Sequence, residues 1–126
     1  MRQAVFTEKG VTPGGPYSQV VVLNGVAYVS SQGPTIPGTS TVRGTFGEQA
    51  QQVFKNVGIL LTASLSSFEQ VVKVGVFLAD LKYFAEMNEV YKQFFKQPYP
   101  ARTTVQAGLS AGVLIVVDCI AEVPAK

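Results

Sequence analysis

The sequence predicts an α+β fold: a mixed β-sheet with two helices packed on one of its faces. Three observations carry this expectation. An Asn-Gly pair separates two runs of branched residues, two later stretches repeat apolar residues at helical spacing, and the last apolar stretch points branched residues both ways. The elements read β-β-β-α-β-α-β-β. No repeat, low-complexity tract or linker divides them, so residues 1–126 are expected to form a single domain.

A weak first strand falls at Gln3 to Phe6. Val20 to Leu23 and Val26 to Ser30 flank Asn24-Gly25, the pair that best tolerates the positive backbone angles of a tight hairpin turn. Gly33 to Gly44 contains Pro34, Pro37 and Gly38 among serines and threonines and reads as a loop. Phe46, Ala50, Val53, Val57, Leu60 and Leu61 then mark a helix from Phe46 to Ala63, opened by a capping box between Thr45 and Glu48. Val71 to Leu78 is a buried strand. Phe84, Met87, Tyr91, Phe94 and Phe95 mark a second helix, stopped by Pro98 and Pro100. Strands near Thr103 to Ala107 and Val113 to Val123 complete the set.

The last strand places Val113, Ile115, Val117, Cys119 and Ala121 on one face and Leu114, Val116 and Ile120 on the other. Two helices cover a single sheet face, so the other needs a second copy of the chain. This predicts a homo-oligomer packed through its sheets, and it accounts for a charged content of only 14%.

Composition excludes several chemistries. The chain has no histidine, which removes imidazole bases, Ser-His-Asp triads and histidine-ligated metals. Its one cysteine makes neither an internal disulfide nor a thiolate zinc site, and no phosphate loop or metal-binding motif is present, so no cofactor is expected. A formal charge of +2 gives no nucleic-acid surface. Met1 to Gly10 lacks the apolar core of a signal peptide, and no apolar run reaches membrane-spanning length; a cytoplasmic protein without a membrane partner is expected.

Among three arginines, Arg102 stands between a proline-bounded loop and an apolar strand. A guanidinium there suits either a two-pronged grip on a carboxylate or an interface ion pair. Gly15-Pro16-Tyr17-Ser18-Gln19, Tyr28-Val29-Ser30, Met87-Asn88-Glu89-Val90-Tyr91 with Phe94-Phe95, and Pro100-Ala101-Arg102 together resemble the RidA/YjgF family of reactive-intermediate deaminases. The resemblance spans nearly the whole chain. It implies a chorismate-mutase-like fold, a homotrimer with sites in clefts between subunits, and cofactor-free hydrolysis of enamines and 2-imino acids to 2-keto acids and ammonia. It also implies that Arg102 clamps the carboxylate of a small ligand, that Tyr17 and Asn88 line the cleft, and that Ser30 orients the ligand. Thr104 would stand beside the arginine. Read without the resemblance, Tyr17 packs at an interface, Ser30 ends a strand and Asn88 is a helix-surface residue.

Three departures from the family pattern follow. Thr104 replaces a cysteine, Ser31 replaces a glycine, and the glutamate that positions the attacking water is missing. Aligning Ile120-Ala121 with the family's closing Ile-Ala puts Val116 at that glutamate; without a one-residue deletion the position falls on Val117. Asp118 shares a strand face with Val116 but is displaced by about 6 to 7 Å. It therefore either pairs with a lysine or arginine across an interface or needs a shifted strand or a differently placed substrate to reach the water. The expectation is a RidA-like protein that binds small imino or keto acids and hydrolyses them, or alternatively a non-catalytic, carboxylate-binding trimer. RNA cleavage, attached to some family members, ranks last because histidine and a basic stripe are lacking.

Overall fold

A computed structural model describes residues 1–125. The strands are β1 (Gln3–Val5), β2 (Val20–Leu23), β3 (Val26–Gln32), β4 (Val71–Leu78), β5 (Ala101–Gln106) and β6 (Ile115–Glu122); the helices are α1 (Phe46–Ala63) and α2 (Phe84–Phe94). The sheet order is β1-β2-β3-β6-β4-β5, with β4 and β5 parallel and every other neighbouring pair antiparallel.

Local chemistry sets the boundaries. Asn24 and Gly25 take φ of 52° and 75°, the left-handed region needed between β2 and β3. Thr45 Oγ1 accepts from the Glu48 amide, and Glu48 returns the bond to the Thr45 amide, so the box starts α1 at the expected residue. Three ends differ from expectation by two residues: β5 begins at Ala101, paired with Lys73 of β4, and so takes in Arg102. β3 runs on to Gln32 because a bulge after Val29 lets Gln32 pair with Val117. β6 begins only at Ile115, because the Val113 amide closes a turn onto Ser110 and Leu114 packs against the core before the strand starts.

The helices lie on one sheet face. Phe46, Ala50, Val53, Phe54, Val57, Leu60 and Leu61 of α1 and Met87, Val90 and Tyr91 of α2 are buried with Ala27, Val29, Val74, Val76, Ile115, Val117, Cys119 and Ala121. An aromatic cluster fastens α2 to α1: Tyr91 stacks on Phe95 at 4.4 Å, and Phe54 meets both in edge contacts of 5.9 and 6.0 Å. The opposite face has no helix. It presents half-buried Val116, Asp118 and Ile120 of β6, Phe77 of β4, and exposed Tyr28 and Val105.

Candidate functional site

The first of two grooves lies between α2 and the edge strand β5. Alternation along β5 sends Arg102 and Thr104 inward, leaving Ala101, Thr103 and Val105 exposed. On α2 the buried stripe of Met87, Val90 and Tyr91 leaves Asn88 half-buried at its border. Asn88, Tyr91, Tyr99 and Arg102 therefore line a groove of about 550 Å³, a size suited to a small ligand.

The guanidinium of Arg102 is held without being neutralised. Its central carbon lies 4.7 Å from the Tyr91 ring centre and 5.6 Å from that of Phe84, while Nη1 is 3.9 Å from Met87 Sδ. Each ring contributes about 0.5–1 kcal/mol of cation–π attraction. Among the described residues the ion pair recorded is Lys92 to Glu89, at 3.6 Å, and no acid pairs with Arg102. Glu89 lines the same groove but pairs with Lys92, so the fixed fork of donors on Arg102 is left suited to a carboxylate from a ligand. Behind it, the Tyr91 hydroxyl and Thr104 Oγ1 are buried without hydrogen-bond partners.

The second groove, of about 650 Å³, opens among the loops at the far end of the sheet and is lined by Tyr17, Ser31, Leu109, Ser110 and Val116 among others. Tyr17 is exposed, and its hydroxyl accepts from the Gly14 amide at 3.2 Å. Ser30 does not line either groove: its hydroxyl donates to the Ser18 carbonyl at 2.6 Å, and the neighbouring Ser31 faces the groove. Val117 is fully buried on the helix side, so the residue that faces this groove is Val116. No carboxylate lines the groove.

Side chains that sequence reasoning passed over shape these loops. Gln19 accepts from the Thr7 amide at 2.7 Å and donates to the Thr7 and Val11 carbonyls. Asn56 donates to the carbonyls of Gly33 and Thr35 at 3.0 and 2.8 Å and accepts from Gln52. Gln49 donates to Gly112 and accepts from the Leu114 amide. Three buried amides along one flank of α1, Gln49, Gln52 and Asn56, were the available signal. Buried amides at such positions need partners, and the glycine- and proline-rich loops supply backbone ones.

Asp118 lies on the same strand face as Val116 and across from Ser31, both of which line the second groove. Burial raises its carboxyl above the ordinary value, while the Gly75 amide, the Ser31 hydroxyl and the charge of Lys73 pull the other way. Lys73 itself donates to Thr103 Oγ1 at 2.8 Å. On the opposite sheet face, the Cys119 thiol is pushed up to about 12, chiefly by burial and secondarily by Asp118, so it stays protonated. Burial likewise raises Tyr91, partly offset by Arg102.

The fold is an α+β domain with an unneutralised arginine beside a small groove. Comparison makes the class specific: the family model described as Endoribonuclease L-PSP matches residues 7–123, and the chain belongs to this YjgF/RidA family. It is 39% identical over 123 residues to human 2-iminobutanoate/2-iminopropanoate deaminase, covering 96% of this chain and 90% of the relative. It is 44% identical to the mitochondrial protein mmf2 of Schizosaccharomyces pombe, covering 96% and 98%. Among solved structures, RidA from an Antarctic Psychrobacter superposes with a TM-score of 0.92 at 37% identity, covering 95% of this chain and 98% of that one. Escherichia coli TdcF with bound serine superposes at 0.89 with 34% identity, covering 95% and 98%. No helix among the described residues is long and apolar enough to cross a membrane. Mitochondrial and chloroplastic proteins are among the relatives, so the family is not confined to the cytoplasm.

Proposed function

We propose that this protein hydrolyses small 2-imino acids and their enamine tautomers to 2-keto acids and ammonia. The observation that carries the reading is the Arg102 guanidinium, caged by Tyr91, Phe84 and Met87 beside Asn88 with no acid to neutralise it. A relative named for 2-iminobutanoate and 2-iminopropanoate, and a neighbour with bound serine, both point to a ligand with a short carbon chain and a carboxylate. The +2 charge and the absence of histidine favour such an acid over RNA.

The two grooves share no lining residue in one chain. In the proposed assembly, a homotrimer of chorismate-mutase-like subunits, the helix-free sheet face is covered by neighbours. The Arg102 groove of one copy then meets the Tyr17 and Val116 groove of the next. Arg102 grips the carboxylate by two hydrogen bonds, and Asn88 and Tyr17 bound the space around the imine. Enclosure limits water to the molecule that attacks. Orientation of water and imine in a closed site lowers the barrier without a cofactor. Ser30 contributes indirectly, tying the β3 end to Ser18 next to Tyr17.

One observation favours a second reading, a trimer that binds a small carboxylate without turning it over: apolar Val116 stands in a groove lined by no acid. Keto-acid release from freshly generated 2-iminobutanoate separates the two. The deaminase reading expects acceleration over buffer that is lost in Arg102→Ala. Rates equal to buffer for both proteins, with keto-acid binding retained by the unsubstituted one, would establish the binding reading.

A further inference from the structure

The strands carry two acids, both on β6, and the one near the second groove is Asp118. It lies across Gly75 of β4: a Cβ built there would collide with Asp118 Oδ1, so glycine keeps the space for the carboxylate. The register shift between β3 and β6, from Val29 opposite Cys119 to Gln32 opposite Val117, places Ser31 across from Asp118, where its hydroxyl favours the ionised carboxylate, and Ser31 also lines the groove that contains Val116. Thus one serine both lines the groove and neighbours the acid across the strand pair.

We infer that Ser31 and Asp118 form a proton relay that serves the second groove, with Ser31 as the catalytic residue and Asp118 acting through it. This inference rests on the deaminase reading above. Asp118 lies two residues from Val116 on the same strand face, a displacement of about 6 to 7 Å, too far for direct contact with a water beside Val116. A hydroxyl accepting one hydrogen bond and donating another spans roughly 5 Å, which closes most of that gap without moving the strand.

The chemistry balances. Water oxygen forms a bond to the iminium carbon and the C=N π pair moves to nitrogen. The water gives a proton to Ser31 Oγ as Ser31 passes its own to the Asp118 carboxylate, leaving a neutral carbinolamine. The proton returns through Ser31 to the amine nitrogen. The C–N bond then breaks with its pair to nitrogen, the carbinol oxygen forms the C=O bond and loses its proton to the regenerated carboxylate. That proton leaves with ammonia as ammonium, and the product is the keto acid.

Burial, which raises Asp118, moves it toward the range where a carboxylate accepts a proton readily near neutral pH. The groups facing it are Lys73 on β4 and, on β3, Ser31 with Tyr28 farther along opposite Ile120. Cys119 points to the other face and keeps its proton.

The test compares the unsubstituted protein with Asp118→Asn, Ser31→Ala, Ser31→Thr and the Asp118→Asn/Ser31→Ala double variant in keto-acid release from 2-iminobutanoate across pH. Each single variant is expected to lose about 10²-fold in kcat, the double variant no more, and Ser31→Thr to recover most of the rate. The unsubstituted protein is expected to lose activity on acidification through a limb above the usual carboxylate range, and that limb is expected to vanish in Asp118→Asn. Val116→Glu in the Asp118→Asn background is expected to restore activity by placing an acid directly in the groove. Circular dichroism and light scattering verify each variant's fold and assembly. If Asp118→Asn does not fold, Ser31→Ala and the acid limb decide the matter. An unchanged rate and pH profile in Asp118→Asn or Ser31→Ala, with activity still dependent on Arg102, overturns the relay alone. No acceleration by the unsubstituted protein overturns the deaminase reading and the relay together.

Discussion

Tyr91→Phe separates what the Tyr91 ring does from what its hydroxyl does. The ring stacks on Phe95 at 4.4 Å, meets Phe54 at 5.9 Å and lies 4.7 Å from the Arg102 guanidinium carbon; phenylalanine preserves all three contacts. The hydroxyl is buried and has no hydrogen-bond partner. A buried, unsatisfied hydroxyl costs about 1–3 kcal/mol, from which the small void left by the missing oxygen must be subtracted, so a net gain of about 1 kcal/mol is expected. Unfolding entropy near 2.1 cal/mol/K per residue scales, for this chain length, to a rise in Tm of about 4 °C. The assay is thermal unfolding by circular dichroism at one fixed protein concentration, because the Tm of an oligomer depends on concentration. Calorimetric titration with 2-oxobutanoate, a stable keto acid, accompanies it. Tyr91→Phe is expected to leave affinity unchanged within about twofold. Tyr91→Leu, which removes the ring from Arg102, is expected to weaken binding by about two- to fivefold through the lost cation–π contact. A fall in Tm for Tyr91→Phe would refute the reasoning, because it would mean that the hydroxyl has a stabilising partner in the assembled protein.

Two further expectations concern stability. Asn56→Ala removes the bonds to Gly33 and Thr35 and strands the Gln52 amide; a loss of about 1–3 kcal/mol is expected, read as a lower urea midpoint at constant slope, and an unchanged midpoint would mean that other contacts hold the loop. Because burial raises Asp118, the folded chain binds its proton more tightly than the unfolded chain, so this group's contribution is full below the ordinary value of 3.8 and is lost as pH rises through the raised folded value. Asp118→Asn is therefore expected to raise Tm at neutral pH and to give no gain below pH 3.8; the opposite order in a Tm-against-pH series would show that the folded state favours the ionised form.

Patterned residues made much of the fold legible in the sequence. The Asn24-Gly25 turn, the Thr45–Glu48 box and the two apolar stripes depend on neighbours within a few positions, and each forms where its chemistry dictates. The bulge after Val29 and the early start of β5 depend on strand partners far along the chain, and the delay of β6 on a turn with no glycine-proline mark at its closing bond; these are where expectation and structure part. Of the Arg102 groove only Arg102 stood out locally; Asn88 followed from the family resemblance and Tyr91 was read as part of an apolar helix stripe, although all three belong to one β4-α2-β5 unit. For buried Gln49 and Asn56 the amide stripe on α1 signalled a need for partners but not which ones, because those are backbone groups of distant loops, and Gln19 gave no sign at all. Ser31 was visible as a departure from the family pattern. Its nearness to Asp118 was not, because it depends on the same bulge.

The sheet order has a consequence for how the chain is made. β6 is the last strand in the sequence yet lies between β3 and β4, so neither of those strands has its inner neighbour while the protein is still emerging from the ribosome. The β2–β3 hairpin and the β4-α2-β5 unit, which carries the arginine groove, close through contacts near in sequence and can take shape as they are synthesised. The groove containing Ser31 and Val116 cannot, since it draws on β3, β6 and the loops between. Until the final strand slots in, two unsatisfied edges face each other across an open seam, which makes the nascent chain a natural client for a chaperone.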